Sequence, residues 1–259
     1  MTGKRTTARD PGQDPRGGEK PARKAKARRR SWFVRLLRWT FVAAIWGALA
    51  LAAMLGWYAY DLPEIDRIPA LERRPSVTLL AADGTPFARF GEAAARPVTV
   101  AELPSYVPGA VIATEDARFY RHFGIDLIGL ARAAAVNLTS LRIRQGGSTI
   151  TQQLAKNLFF GPERTIKRKA QEVILALWLE RRLSKDQILA LYLNRVYFGA
   201  GNFGIEAAAQ SYFGKPAARL TLNEAAMLAG LLKAPSRYSP VGNRDRAAAR
   251  AAVVLDRMA

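Results

Sequence analysis

The sequence predicts a mainly α-helical domain carrying one membrane-length helix near its N terminus and a short β-hairpin between the two. Three observations predict it: an uncharged run over residues 40–60, a turn dipeptide between two β-prone runs over 76–90, and helical apolar spacing from Val107 onward. With 259 residues, 49% of them hydrophobic, the chain can bury a sizeable core.

Residues 1–38 hold 13 Lys/Arg against Asp10, Asp14 and Glu19, a net +10 of the chain's +19. This Gly/Pro/Lys/Arg-rich tail has no apolar periodicity and reads as disordered. Residues 39–60 follow as a transmembrane helix, because the 21 residues 40–60 contain no charge and match the thickness of a bilayer. Trp32, Trp39, Trp57, Tyr58 and Tyr60 bracket the run where aromatic rings meet headgroups. The basic tail lies on one side only, so the tail is expected inside and the bulk of the chain outside. A cleaved leader would be shorter and would show a small-residue cleavage site before Asp61. The tail abuts the span and has no aromatic residue before Trp32, so its expected contact is anionic lipid, with no nucleic acid.

Residues 61–100 form a linker with Pro63, Pro69 and Pro75, followed by a hairpin turning at Asp83-Gly84. Residues 101–259 make the principal domain, with helices expected over 107–121, 126–141, 149–159, 163–182, 185–196, 203–213, 221–233 and 244–258. Capping boxes are expected at Thr149/Gln152, Ser184/Gln187 and Thr221/Glu224, each placing an amide or acid three residues after a hydroxyl. The last helix stops without a glycine cap, and the sequence reads as the N-terminal part of a longer chain.

The chain has no cysteine and one histidine, His122, which excludes thiolate zinc sites, cysteine nucleophiles and multi-histidine metal centres. Catalysis must rest on carboxylates, cations and backbone. Four polar clusters supply them. The first is A-T-E-D-A-R-F-Y-R-H-F-G-I-D over 113–126, where Glu115-Asp116 alone would read as a solvated helix end. The second is R-Q-G-G-S-T-I-T-Q-Q-L-A-K-N-L-F over 144–159, open to two readings. Gly146 and Gly147 could turn the chain into a helix whose free N–H groups bind an anion, or the stretch could be a glycine-led capping box with solvated neighbours. The third is E-R-T-I-K-R-K-A-Q-E over 163–172, whose Arg168, Lys169 and Glu172 alone would make a surface ion pair. The fourth, over 189–215, contains Y-L-N and a glycine-rich block.

In this order the clusters resemble the family 51 glycosyltransferases that polymerise peptidoglycan, the transglycosylase domains of class A penicillin-binding proteins and their monofunctional relatives. The family pattern E-D-x-x-F-x-x-H-x-G falls on 115–124 and G-x-S-T-I-T-Q-Q with a following K-N on 146–157. R-K-x-x-E falls on 168–172 and Y-L-N on 192–194. The wording between motifs is closer to the bifunctional proteins, which continue into an acyl-transferring domain with a Ser-x-x-Lys nucleophile. No serine of this chain has lysine at the third following position.

The resemblance implies a lysozyme-like glycosyltransferase fold and transfer of a glycan from a polyprenyl diphosphate to lipid II with inversion. It implies Glu115 as the base that takes the proton of the attacking hydroxyl, and Glu172 as a second catalytic carboxylate that orients cations. Substrate and diphosphate binding would fall to Asp116, Ser148, Thr149, Gln152, Gln153, Lys156, Asn157, Arg164, Arg168 and Lys169. Phe119, His122, Gly124 and Asn194 would support them. No cofactor is required, and a divalent cation, Mg or Mn, has a candidate place near Glu172 and Asp116. Expected partners are lipid II, the nascent glycan strand, membrane lipids and other cell-wall proteins, with the enzyme on the outer face of the cytoplasmic membrane. A muramidase or lytic transglycosylase and a non-catalytic membrane scaffold are the competing readings.

Overall fold

The structure, a computed structural model, describes residues 2–3, 22–60, 62, 77–84, 86–90, 96–140, 146–163 and 165–259. The chain divides into two compact units, Met1–Met54 and Leu55–Ala259. Helix α1 (Ala22–Tyr60) supplies nearly all the described residues of the first. Its 29 residues from Trp32 to Tyr60 are long and apolar enough to cross a membrane, and Trp32, Trp39, Trp46 and Trp57 are exposed along it. The helix begins well upstream of the expected residue 39. Residues 22–30 are all Ala, Arg or Lys, which favour helix whatever their net charge, so the reading of 1–38 as disordered is corrected over 22–38. Residues 4–21 lie outside the described residues.

In the second unit, β1 (Val77–Leu80) and β2 (Pro86–Phe90) pair antiparallel in the expected hairpin, Val77 opposite Phe90, around a turn with Gly84 at φ 82°. The helices are α2 (Tyr106–Glu115), α3 (Leu127–Ser140), α4 (Ile150–Phe159), α5 (Ile166–Arg182), α6 (Lys185–Arg195), α7 (Ile205–Phe213), α8 (Leu222–Leu231), the single turn α9 (Pro235–Tyr238) and α10 (Arg244–Met258). Two short strands, β3 (Tyr197–Gly199) and β4 (Asn202–Phe203), form a ribbon that the sequence reading did not anticipate.

Helices α2, α8 and α10 pack on one another, and α4 packs on α5 and α6. Phe119, Ile150, Leu154, Leu175, Ile188 and Leu193 are fully buried in one continuous core. Capping explains where several helices start. Ser184 and Thr221 form complete boxes with Gln187 and Glu224, as expected, and Thr165 and Asn243 cap α5 and α10.

The helix expected over 107–121 instead ends at Glu115. Asp116 leaves helical geometry at φ −157°, and only a short 3-10 turn, Phe119–Arg121, follows. This break brings the Glu115-Asp116 pair to the start of α4.

Candidate active site

Glu115 is the last residue of α2 and stands partly exposed at a cleft of about 620 Å³. Its Oε2 accepts a 2.9 Å hydrogen bond from Gln153 Nε2 on α4, and Gln153 Oε1 accepts a 3.1 Å bond from the Tyr192 hydroxyl on α6. Among the described residues Glu115 Oε1 has no hydrogen-bond partner. A carboxylate held by one oxygen and open at the other is arranged to receive a proton.

Asp116, one residue on, is buried and saturated. It accepts from His122 Nε2 at 2.9 and 3.0 Å and from the Ile150 N–H at 3.1 Å. Asp116 therefore supplies negative charge at the N terminus of α4. Thr149 caps the same helix, accepting from Gln152 N–H at 3.2 Å and donating to the Gly124 carbonyl at 2.7 Å. Gln152 does not complete the expected capping box. Its side-chain amide donates to Gly124 O at 3.4 Å and accepts from Lys169 Nζ at 3.0 Å.

Gly147 lies beside Leu130, whose Cδ1 would be 2.8 Å from a Cβ there. Gly124, at φ 74° and packed against the Ala176 backbone, offers its carbonyl to Thr149 and Gln152.

The third cluster closes on α5. Glu172 is 3% exposed, with one oxygen paired to Arg168 and the other to Lys169 at 3.1 Å. Lys169 also donates to Ser148 Oγ at 2.7 Å. Cluster two and cluster three, separate in sequence, become one network of Ser148, Gln152, Arg168, Lys169 and Glu172. Asp116 and Glu172 each have partners of their own, His122 and the Ile150 N–H for the first and Arg168 and Lys169 for the second. Among the described residues no group of three His, Asp or Glu side chains converges.

Lys156 and Asn157 are exposed on the last turns of α4 and line a second cleft of about 490 Å³ with Arg168, Arg195, Tyr197 and Phe203. Lys156 has no ion pair among the described residues. It does not share the cleft of Glu115, although Gln153, which does, stands three residues before it on α4. Arg164 lies outside the described residues.

The Glu115 cleft has cations of its own that the motif reading missed: Arg132 on α3, Lys233 after α8, and Arg250 and Arg257 on α10. Arg250 is largely buried, and that burial, then the Arg257 charge, lower its pKa. Arg257 Nη1 donates to the Thr114 carbonyl at 3.2 Å, fastening α10 to the end of α2. These cations lie in stretches that read as ordinary helix surface, so only their convergence in space reveals them.

Phe119 is fully buried, its ring 4.4 Å from Lys185 Nζ, and His122 steadies Asp116. Asn194 bonds the Val98 backbone through both its amide ends, donating at 2.7 Å and accepting at 2.9 Å.

The sequence profile of the family described as Transglycosylase matches residues 83–259, which include every one of these side chains. The chain belongs to the transglycosylase family. It is 48% identical over 213 residues to penicillin-binding protein 1A of Escherichia coli (strain K12), covering 81% of this chain and 25% of that protein. It is 43% identical over 227 residues to penicillin-binding protein 1A of Vibrio cholerae, covering 86% of this chain and 27% of the relative. The corresponding protein of Aquifex aeolicus is 53% identical over 161 residues, 62% of this chain and 22% of that one. A crystal structure of penicillin-binding protein 1A from Haemophilus influenzae aligns with 73% of this chain and 18% of its own at 26% identity and a TM-score of 0.41. This transglycosylase chain therefore spans about a quarter of the length of the curated relatives it matches.

Proposed function

We propose that the chain polymerises lipid II into peptidoglycan strands by inverting glycosyl transfer, with Glu115 as general base. The observation that carries this reading is the half-satisfied Glu115 carboxylate at a cleft ringed by cations. The acceptor's sugar hydroxyl gives its proton to Glu115 Oε1 as its oxygen bonds to the donor's anomeric carbon. The bond from that carbon to phosphate oxygen breaks, and its electron pair leaves with the polyprenyl diphosphate. A diphosphate is a stable anion that needs charge stabilisation more than a proton, whereas a glycosidase must protonate a sugar alkoxide. Clefts lined by Arg132, Lys233, Arg250 and Arg257 on one side and by Lys156 and Arg168 on the other suit a reaction in which both partners carry a diphosphate.

Glu172, clasped by Arg168 and Lys169, orients these cations and takes no proton itself. Glycan growth from purified lipid II, with no fragments released from finished sacculi, is the expected result. Fragments without growth would favour the muramidase, and neither activity the scaffold.

The enzyme is anchored in the cytoplasmic membrane by α1, N terminus inside and the second unit outside. The unburied, apolar 32–60 segment and the basic residues on one side of it support this. Leu127, Ile128 and Leu138 on α3, between 61% and 76% exposed, suit contact with the bilayer from which a lipid-linked substrate arrives. Polar substitution of these three should abolish liposome binding by the second unit; unchanged binding would remove α3 from the membrane.

A further inference from the structure

We propose that Tyr192 is a positioning residue for Glu115: it holds the Gln153 amide with nitrogen toward the carboxylate, locking one oxygen of Glu115 and leaving the other for the incoming hydroxyl. The inference rests on Glu115 as the base and deepens that reading. Tyr192 lies in the Y-L-N stretch, which in sequence looks purely structural. It is fully buried on α6, and its hydroxyl reaches Glu115 only through α4, by way of Gln153.

The two ends of a glutamine amide have nearly the same shape, so packing alone cannot choose between them. Polarity does. Burial first, and then the negative charges of Glu115 and Asp116, raise the Tyr192 pKa well above its ordinary value, so the phenol keeps its proton. A buried hydroxyl must place that proton on an acceptor, and among the described residues Gln153 Oε1, at 3.1 Å, is the one it has. Turning the amide over would set its oxygen against the carboxylate and its N–H groups against the hydroxyl proton, two mismatches in a site of low dielectric.

Phenylalanine at 192 would keep the shape and drop the selection. Glu115 would then lose its single described anchor for part of the time, and a small displacement of a reacting group costs rate more than binding.

The test is a double-mutant cycle on lipid II polymerisation by the full chain in vesicles. We expect Y192F and Q153M each to lower kcat about tenfold with KM changed less than about twofold, the size of effect one lost hydrogen bond produces. The double variant should be no slower than Q153M, because Tyr192 acts only through Gln153. Losses that multiply in the double variant, or Y192F at the unmodified rate, would overturn the proposal.

Q153E tests the same arm without touching Tyr192, which matters if Y192F does not fold. It leaves the hydroxyl an acceptor but denies Glu115 a donor, and retention of more than about half of kcat would likewise overturn it. E115Q separates the two levels. An active E115Q chain would remove the base assignment itself, whereas an inactive one beside a multiplicative cycle would remove Tyr192 alone.

Discussion

Glu115 and Glu172 are both helical carboxylates, on α2 and α5, yet their surroundings differ in kind. Glu172 sits inside an ion-pair network with both oxygens taken by Arg168 and Lys169. Glu115 has one oxygen held by a neutral amide and the other facing a cleft. A carboxylate clasped by two cations is a good anchor for them, while one held through a single oxygen by an amide leaves its other oxygen for a hydrogen bond to a substrate hydroxyl. The contrast supports the roles of base and organiser proposed for Glu115 and Glu172.

The sharpest way to break this contrast is E115Q, which keeps the shape and the cleft. We expect polymerisation to fall about 10²–10⁴-fold with an unchanged melting temperature, the range for losing a general base. If Glu172 behaves as an organiser, E172Q should instead act through stability. Removing one partner of a buried ion pair costs about 3–5 kcal/mol. Lys169 keeps 46% of its side-chain exposure, so we expect a smaller loss of about 2 kcal/mol, read by denaturant titration, with a weaker fall in kcat. An E172Q chain as stable as the parent but as inactive as E115Q would reverse the two roles.

Lys156 has no ion pair among the described residues and lines the second cleft, so K156Q should lower polymerisation about tenfold without destabilising the fold. T149A removes both the cap of α4 and the bond to Gly124 O, and should cost about 1–2 kcal/mol by thermal unfolding.

The smallest effect concerns Tyr120. Partial burial, then the hydrogen bond to Asp186 and its charge, push the Tyr120 pKa from 10.0 up to about 12. The stabilisation this brings is complete below pH 10 and disappears as pH rises through about 12, so Y120F should show a flatter stability profile across that window. Parallel profiles for Y120F and the parent chain would discount the Asp186 contact.

The chain order of residues decided a great deal. An uncharged run of bilayer length, a hairpin at Asp83-Gly84 and helix starts at Ser184 and Thr221 follow from local rules, because each depends on neighbours within a few positions. The spacing of Glu115, Gly146-Gly147, Arg168-Lys169 and Tyr192-Asn194 was enough to mark the family.

Tertiary structure alone decided how those residues divide their work. Asp116, at the rim of the Glu115 cleft, bonds His122 and the first N–H of α4, and Gln152 leaves its capping box for Lys169. Lys156 and Glu115 come to line separate clefts, and Arg132, Lys233, Arg250 and Arg257 converge on Glu115 from three parts of the chain. Hydrogen bonding and charge act across a few ångströms of space and take no account of distance along the chain. A carboxylate's neighbours, and with them its role, exist only once the helices have packed.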